Sequence, residues 1–323
     1  MKASAMPRER LRVLTWHVHG NYLYYLTHAP HDFYVVTDAA RGPGYGGLGG
    51  ALPWGPNVHE APVERLHGLP FDCVLYQARR NWEADRFEQL SEAQRRLPQL
   101  YLEHDPPQAH PTNTRHFAAD DAGVLLVHVT HFNQLMWDSG QCATRVIEHG
   151  VRLPRPARYS GELARGIVVV NNLARRGRRL GADVFEQVRA QVPLDLVGMD
   201  AQASGGLCEV RNDELAAFSA RYRFFFNPIR YTSLGLAVIE AMMVGLPIVG
   251  LATTELATVV RDGVSGFVHT DVQRLVSGMQ HLLEYPDEAR AMGQAAQRAA
   301  RERFGIERFA ADWDQVLREA CAG

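Results

Sequence analysis

Short apolar runs of strand length recur along this chain, and the stretches between them carry helical patterning or turn residues. In the first half the runs are LRVLTWHV (11–18), FYVVTD (33–38), FDCVLYQ (71–77), LYLEH (100–104), GVLLVHVT (123–130) and TRVIEHGV (144–151). A helical stretch is expected near Asn81–Arg96, and a loop over residues 39–57, which are too rich in glycine and proline for regular structure. In the second half the runs are GIVVVNN (166–172), LDLVGMD (194–200), RFFFNP (223–228) and PIVGLAT (247–253). Strands that alternate with helices pair in parallel through right-handed crossovers, so the chain reads as α/β.

The rhythm stops once. RLPRPARYSGELARG (152–166) has two prolines, four arginines and little apolar content, and is read as a linker; a long surface loop within one domain is the alternative. The 323 residues also exceed one ordinary core and suit two domains. Beyond the linker, helices are expected over Arg178–Val192, with Leu180, Val184, Phe185 and Val188 on one side, and over 212–222, 272–284, 286–304 and 306–321. The last of these carries Ile306, Phe309, Trp313, Val316 and Leu317 on an apolar side.

Composition excludes several classes. A hydrophobic fraction of 46% and a charged fraction of 22% are those of a soluble globular protein. The net charge of −2 argues against a nucleic-acid partner. The N-terminus shows no apolar core of a signal peptide, and no stretch reaches bilayer length, so the expected location is the cytoplasm. Cys73, Cys142, Cys208 and Cys321 are far apart and read as reduced thiols.

Phe224–Gly250 reads as strand, turn, buried helix, turn, strand, with Glu240 as its one acidic residue. Gly245 suits the helix C-terminus and Pro247 prevents continuation. Thr232 or Ser233 suits the N-cap, and Gly235 lets the first turn approach a ligand closely. The free N–H groups and the positive dipole end then suit an anionic phosphate in the crevice at the carboxyl ends of the strands. A buried carboxylate needs strong donors; sugar hydroxyls or an arginine of the chain could both serve.

This segment resembles the donor-site signature of the GT-B glycosyltransferases, family 4 of the retaining enzymes. The family pattern runs Tyr-Glu-x-Phe-Gly-Leu, then Glu-Ala-Met-x-x-Gly-x-Pro-Val-Val. Here Tyr231-Thr232-Ser233-Leu234-Gly235-Leu236 is followed by Glu240-Ala241-Met242, Gly245 and Pro247. GLATTELATVVRDGVSGFV (250–268) is similar to the family's acidic residue followed by a Gly-x-x-Gly-Phe strand entry. YLEHDPP and VIEHGV resemble two landmarks of its first domain. Thr232 stands where the family's first glutamate contacts the donor sugar. The family's Gly-Arg-Leu…Lys-Gly run appears as Val170-Asn171-Asn172-Leu173-Ala174-Arg175-Arg176-Gly177, with Asn172 for the arginine and Arg176 for the lysine. Arg175 is a second cation there, and Arg178 and Arg179 read as a solvated helix start.

The resemblance implies two Rossmann-like domains facing a cleft, with the C-terminal helix crossing back to the N-terminal domain. The boundaries are 1–151 for the acceptor domain, 152–165 for the linker, 166–304 for the donor domain and 305–323 for the helix. It implies transfer of a sugar from a nucleotide-sugar donor to an acceptor (glycan, lipid-linked or small molecule) with retention, and with no cofactor and no metal. It is compatible with peripheral contact at the inner face of the membrane. Arg176 and the helix N-terminus stabilise the leaving diphosphate in this reading. The donor site is Asn172, Arg175, Arg176, Thr232, Ser233, Leu234, Gly235, Leu236 and Glu240. Other readings are an epimerase acting on the nucleotide sugar and a binder that does not catalyse.

The first half holds most of the 14 histidines. His17-Val18-His19 could ligate a metal, but the strand count and the linker do not support the eight-fold barrel such a site uses. In the GT-B reading His19, Gly20 and Asn21 face the acceptor. His104 aligns with a cleft histidine near the reacting sugar and is the candidate catalytic residue with Arg176; it could instead be a loop residue shaped by Pro106 and Pro107.

Overall fold

The computed structural model describes residues 9–18, 20–49 and 52–322. The chain divides into two compact units: residues 1–129, 133–150 and 306–323 form the first, and 130–132 with 151–305 form the second.

The first unit is built on seven parallel strands: β1 (Arg12–Thr15), β2 (Asp32–Thr37), β3 (Val58–Pro62), β4 (Cys73–Tyr76), β5 (Gln99–Glu103), β6 (Val124–His128) and β7 (Ala143–Val146). Their order is β3-β2-β1-β4-β5-β6-β7. Val13 on β1 pairs with Phe33 on one side and Cys73 on the other. Leu14, Trp16, Val36, Val74, Tyr76 and Leu126 form the centre of one core layer. The sequence reading missed β3. It is an edge strand that ends in proline, so it carries neither a buried run nor a clean alternation.

The segment Asn81–Arg96 is not one helix. A π-type turn covers Asn81–Asp85, a short turn covers Arg86–Glu88, and Glu92–Arg95 starts afresh behind a Ser91/Gln94 capping box. Asp85, fully buried, explains the first break: Asn81 Nδ2 donates to it at 2.8 Å and Arg80 Nε at 3.1 Å.

The Ile306–Ala322 helix belongs to the first unit and buries Phe309 and Trp313 completely. The Phe309 ring meets Tyr22 edge-on at 5.5 Å, and a Cβ at Gly150 would run into Phe309. Arg308 Nη2 donates to the Glu148 carbonyl at 2.9 Å.

The second unit has five parallel strands: β8 (Leu163–Val169), β9 (Leu194–Val197), β10 (Tyr222–Asn227), β11 (Ile248–Leu251) and β12 (Gly266–His269), in the order β12-β11-β10-β8-β9. Val168, Phe224, Phe226 and Val249 pack with Val184, Phe185, Leu275 and Met279 in one core. The strand β8 starts at Leu163, three residues before the sequence reading placed it. Residues just ahead of it are already tied down: the Ser160 and Gly161 amides donate to the Ala220 carbonyl at 2.8 and 3.1 Å, and the Tyr159 hydroxyl to the Arg223 carbonyl at 2.8 Å. Backbone bonds of this kind leave no trace in composition, which is why the stretch read as linker.

The helix expected over Arg178–Val192 also divides. Gly177–Leu180 is a 3-10 turn, Gly181 takes φ +82°, and the α-helix runs from Ala182 to Arg189. The Leu236–Val244 helix packs against the Pro286–Arg303 helix, β10 and β11, and buries Val238, Ile239, Ala241, Met242 and Val244. Gly293 has no Cβ to collide with the Gly245 carbonyl, so the two helices come together closely there.

Candidate functional site

In the second sheet the chain leaves β8 for β9 on one side, whereas β10 leads to β11 on the other. The neighbours β8 and β10 therefore mark the topological switch point, and doubly wound sheets open a crevice at the carboxyl ends of such strands. Residues 170–180 leave β8 there, and residues 228–235 leave β10. Backbone bonds join the two loops: the Arg230 and Tyr231 amides donate to the Arg179 carbonyl at 3.0 and 3.2 Å. Arg230 also grips Asp183 with both terminal nitrogens, at 2.5 and 2.8 Å, which holds that carboxyl below its usual range. Neither Arg230 nor Asp183 stood out in the sequence, since a pair separated by 47 residues has no local spacing.

Asn172, Arg175 and Arg176 lie on the first of these loops. Asn172 takes the left-handed conformation at φ +54°, and its amide donates to the Met199 carbonyl at 2.7 Å. The short Leu173–Arg176 helix follows, so Arg176 is half-buried at its end while Arg175 is exposed. Gly177 then adopts φ +56° and ψ −138°, a conformation reserved for glycine, and a Cβ there would meet nothing. Arg178 is exposed and pairs with Asp183 at 2.5 Å, as a solvated residue would.

Thr232, Ser233, Leu234 and Gly235 form the second loop. The helix begins at Leu236, and its N-cap is Gly235 without any side-chain cap. That corrects the expectation of Thr232 or Ser233 as cap: both stand too far upstream, in a bend. Gly235 has φ −70°, which any residue adopts, and a Cβ there would meet open space. Glycine is not required by the backbone here, so the open ground above the first turn is what its absent side chain preserves. Thr232, Ser233, Gly235 and Leu236 are half-buried and Leu234 is buried.

Glu240 is the only ionisable residue of this helix and is 8% exposed. At about 1.5 Å per residue it stands roughly 8 Å along the axis from Gly235. Glu240→Gln keeps the shape and removes the charge. It is expected to weaken nucleotide binding by about 1–3 kcal/mol while leaving the fold in place. Calorimetry with a nucleoside diphosphate and its 2′,3′-dideoxy analogue checks this. The analogue should bind wild type more weakly and barely distinguish the two proteins. An unfolded variant whose surviving fraction binds normally would instead make Glu240 a structural ion-pair partner.

In the first unit the switch point lies between β1 and β4. Gly20 and Asn21 open the Gly20–Leu26 helix directly after β1. His19 lies outside the described residues. The His17 Nδ1 bonds to the Gly47 carbonyl, and no group of three His, Cys, Asp or Glu side chains suited to a metal ion occurs among the described residues. His104 follows β5, with Nε2 at 3.2 Å from Gln77 Oε1 and its ring edge-on to Tyr22 at 4.8 Å. Gln77 Nε2 donates to Thr15 Oγ1 and the Trp16 carbonyl, at 2.8 and 2.9 Å, so its carbonyl oxygen must face His104. His104 Nε2 therefore carries a proton. Sequence reading missed Gln77, which fixes this proton from another strand end.

His104 lines a cavity of about 360 Å³ with Glu103, Asp105, Gln108 and the rings of Phe117 and Trp137. The buried His116 takes the Ala118 amide on Nδ1 at 3.1 Å, so its Nε2 donates to Glu103 at 3.2 Å. Burial raises the Glu103 carboxyl above its usual range. His128 pairs in register with Glu103 on the neighbouring strand and is fully buried, with no hydrogen-bond partner at either ring nitrogen among the described residues. Burial lowers its pKa to about 4.

Residues 164–285 match the family model described as glycosyl transferases group 1. The second unit carries a group 1 glycosyl transferase domain. Trehalose synthases of Thermococcus litoralis and Pyrococcus horikoshii are 36% and 29% identical over 107 residues, 33% of this chain. The match spans 26% of the length of these curated relatives. Among solved structures, a sucrose-phosphate synthase from Thermosynechococcus elongatus covers 97% of this chain and 100% of its own, with a TM-score of 0.70 and 17% identity. Anabaena HepE in complex with UDP-glucose covers 97% and 100%, with a TM-score of 0.65 and 14% identity. These likenesses span both sheets, so the fold is the two-sheet α/β fold of the GT-B structures. No helix among the described residues is long and apolar enough to cross a membrane.

Proposed function

We propose that this chain is a glycosyltransferase that takes a nucleotide sugar on its group 1 domain and transfers the sugar to an acceptor bound by the first unit. One observation carries the reading. The β8–β10 switch point gathers a half-buried arginine, a glycine-only turn, an uncapped helix N-terminus and a buried glutamate. Those are the parts a nucleoside diphosphate needs: donors and positive charge for the phosphates, and a carboxylate for the ribose hydroxyls. HepE, a fold relative, has been solved with UDP and with UDP-glucose, which supports a nucleotide-sugar donor.

In the reaction the bond from the anomeric carbon to the phosphate oxygen breaks and its electron pair leaves with the diphosphate, while the acceptor hydroxyl oxygen bonds to that carbon and its proton passes to the departing phosphate oxygen. Arg176 and the amides of the first helical turn stabilise that charge. His104, with its Nε2 proton held by Gln77, hydrogen-bonds the sugar or the incoming hydroxyl. Retention of configuration and independence from metal are part of the proposal. The finer donor contacts assigned to Asn172, Arg175, Thr232, Ser233 and Leu236 are too. Thr232, in place of the family's first glutamate, favours a second reading in which the sugar is bound but not transferred.

Proton NMR of UDP-, ADP- and GDP-glucose incubated with the protein tests both. Release of the nucleoside diphosphate with a new α-glycoside, or with free glucose formed first as the α anomer, is the expected outcome. An epimerised nucleotide sugar would replace transfer by isomerisation. A donor that binds and stays intact would leave only the binder.

A further inference from the structure

The arginine-rich stretch ahead of β8 takes no part in the site above. Its Arg158 and Tyr159 instead line a groove of about 510 Å³ with Arg290, Gln294, Gln297 and Arg301. The groove reaches Gly245, just ahead of β11, so it lies toward the amino ends of the strands, whereas the switch-point crevice lies at their carboxyl ends. Residues 290, 294, 297 and 301 are spaced by four, three and four. That spacing places them on one face of the Pro286–Arg303 helix, over about 16 Å of its length.

Every charged group lining this groove is a cation, and no carboxylate is among them. The Arg290 Nη2 donates to the Ser160 carbonyl at 3.2 Å, and its guanidinium lies 5.6 Å from the Tyr159 ring centre. Gln297 Nε2 donates to the Met243 carbonyl at 2.8 Å. Arg158 and Arg301 are exposed and have no hydrogen bond or ion pair among the described residues. Arg155, Arg165, Arg211, Arg221 and Arg230 of the same unit each face a carboxylate instead. Like charges gathered in one groove repel, and a bound anion turns that repulsion into attraction. Guanidinium forks match phosphate oxygens, and a stripe some 16 Å long suits several phosphates in a row better than one.

We propose that this groove is a second ligand site, distinct from the switch-point crevice, that binds a soluble chain-like ligand bearing several phosphate groups. Arg158 and Arg301 hold it, and Arg290, braced on Tyr159, adds a third contact.

Calorimetry with sodium tripolyphosphate at physiological salt tests the assignment on the full chain. Saturable binding is expected, weakened about ten-fold or more by Arg158→Ala and by Arg301→Ala. It should be unchanged by Arg298→Ala, an exposed arginine of the same helix outside the groove, and by saturating UDP, which occupies the switch-point crevice. All of these side chains are half-buried or exposed, and circular dichroism verifies that each variant is folded. Absence of binding overturns the proposal. Equal losses from Arg298→Ala would mean a diffuse basic surface, and displacement by UDP would place the anion in the crevice; either result overturns it. Co-sedimentation with phosphatidylcholine vesicles containing phosphatidylserine separates the lipid case. Retention on vesicles without tripolyphosphate binding overturns the soluble ligand.

Discussion

Replacing Arg176 with alanine is expected to weaken nucleoside diphosphate binding roughly ten- to a hundred-fold, since a charge-assisted contact contributes about 1.5–3 kcal/mol. The side chain is half-buried at the end of the Leu173–Arg176 helix, beside a glycine whose conformation leaves the ground above it clear. Arg179→Ala is the control. Its carbonyl, which receives the Arg230 and Tyr231 amides, survives the substitution. Calorimetry with UDP on both variants decides. Equal losses would show that the cations act as a diffuse field, and the crevice would lose its claim as a phosphate site.

Acidification is expected to remove roughly 3 kcal/mol of stability between pH 6.5 and about 4 through His128 alone. The imidazole is fully buried, and desolvation lowers its folded pKa from 6.5 to about 4. Above pH 6.5 neither state is charged and nothing is lost. Below it the unfolded chain takes up a proton that the folded chain refuses, so stability falls as the pH drops through that window. His31, also buried and also lowered chiefly by desolvation, acts in the same direction. Glu103 opposes them: its folded pKa is raised, so falling pH favours the folded state there. Denaturant melts across the window should show a shallower loss for His128→Leu than for wild type. A slope unaffected by that substitution would mean that the ring is solvated and charged in the folded protein.

The sequence made the strands legible because most of them are central strands buried on both faces. It failed at β3, whose edge position and terminal proline leave no such run. Helix interruptions were hidden for a related reason. Gly181 and the buried Asp85 break helices whose apolar residues keep nearly helical spacing on both sides. At the candidate site, the strand–loop–helix from β10 and the loop after β8 were visible from glycines, cations and one misplaced carboxylate. Their convergence was not, because it depends on strand order: β8 and β10 are neighbours only after β9 has been sent to the outer edge. The N-cap shifted to Gly235 because a Thr-Ser pair resembles a cap wherever it stands, and sequence cannot show that the helix starts three residues later. Gln77 escaped notice since its role lies in which way one amide points.

The first unit is interrupted in sequence, and the order of synthesis gives that interruption a cost. Residues 151–305 of the second unit are complete when the ribosome reaches the loop before Ile306. The first unit, begun long before, still lacks the helix that brings Phe309 and Trp313 to it. Tyr22 and the notch at Gly150 therefore wait without their cover until that helix is made. The later-made unit can mature first, and the earlier-made one closes only as the Ile306–Ala322 helix emerges. A nascent chain stalled near residue 305 would present an open apolar surface to chaperones, although its second unit was already built.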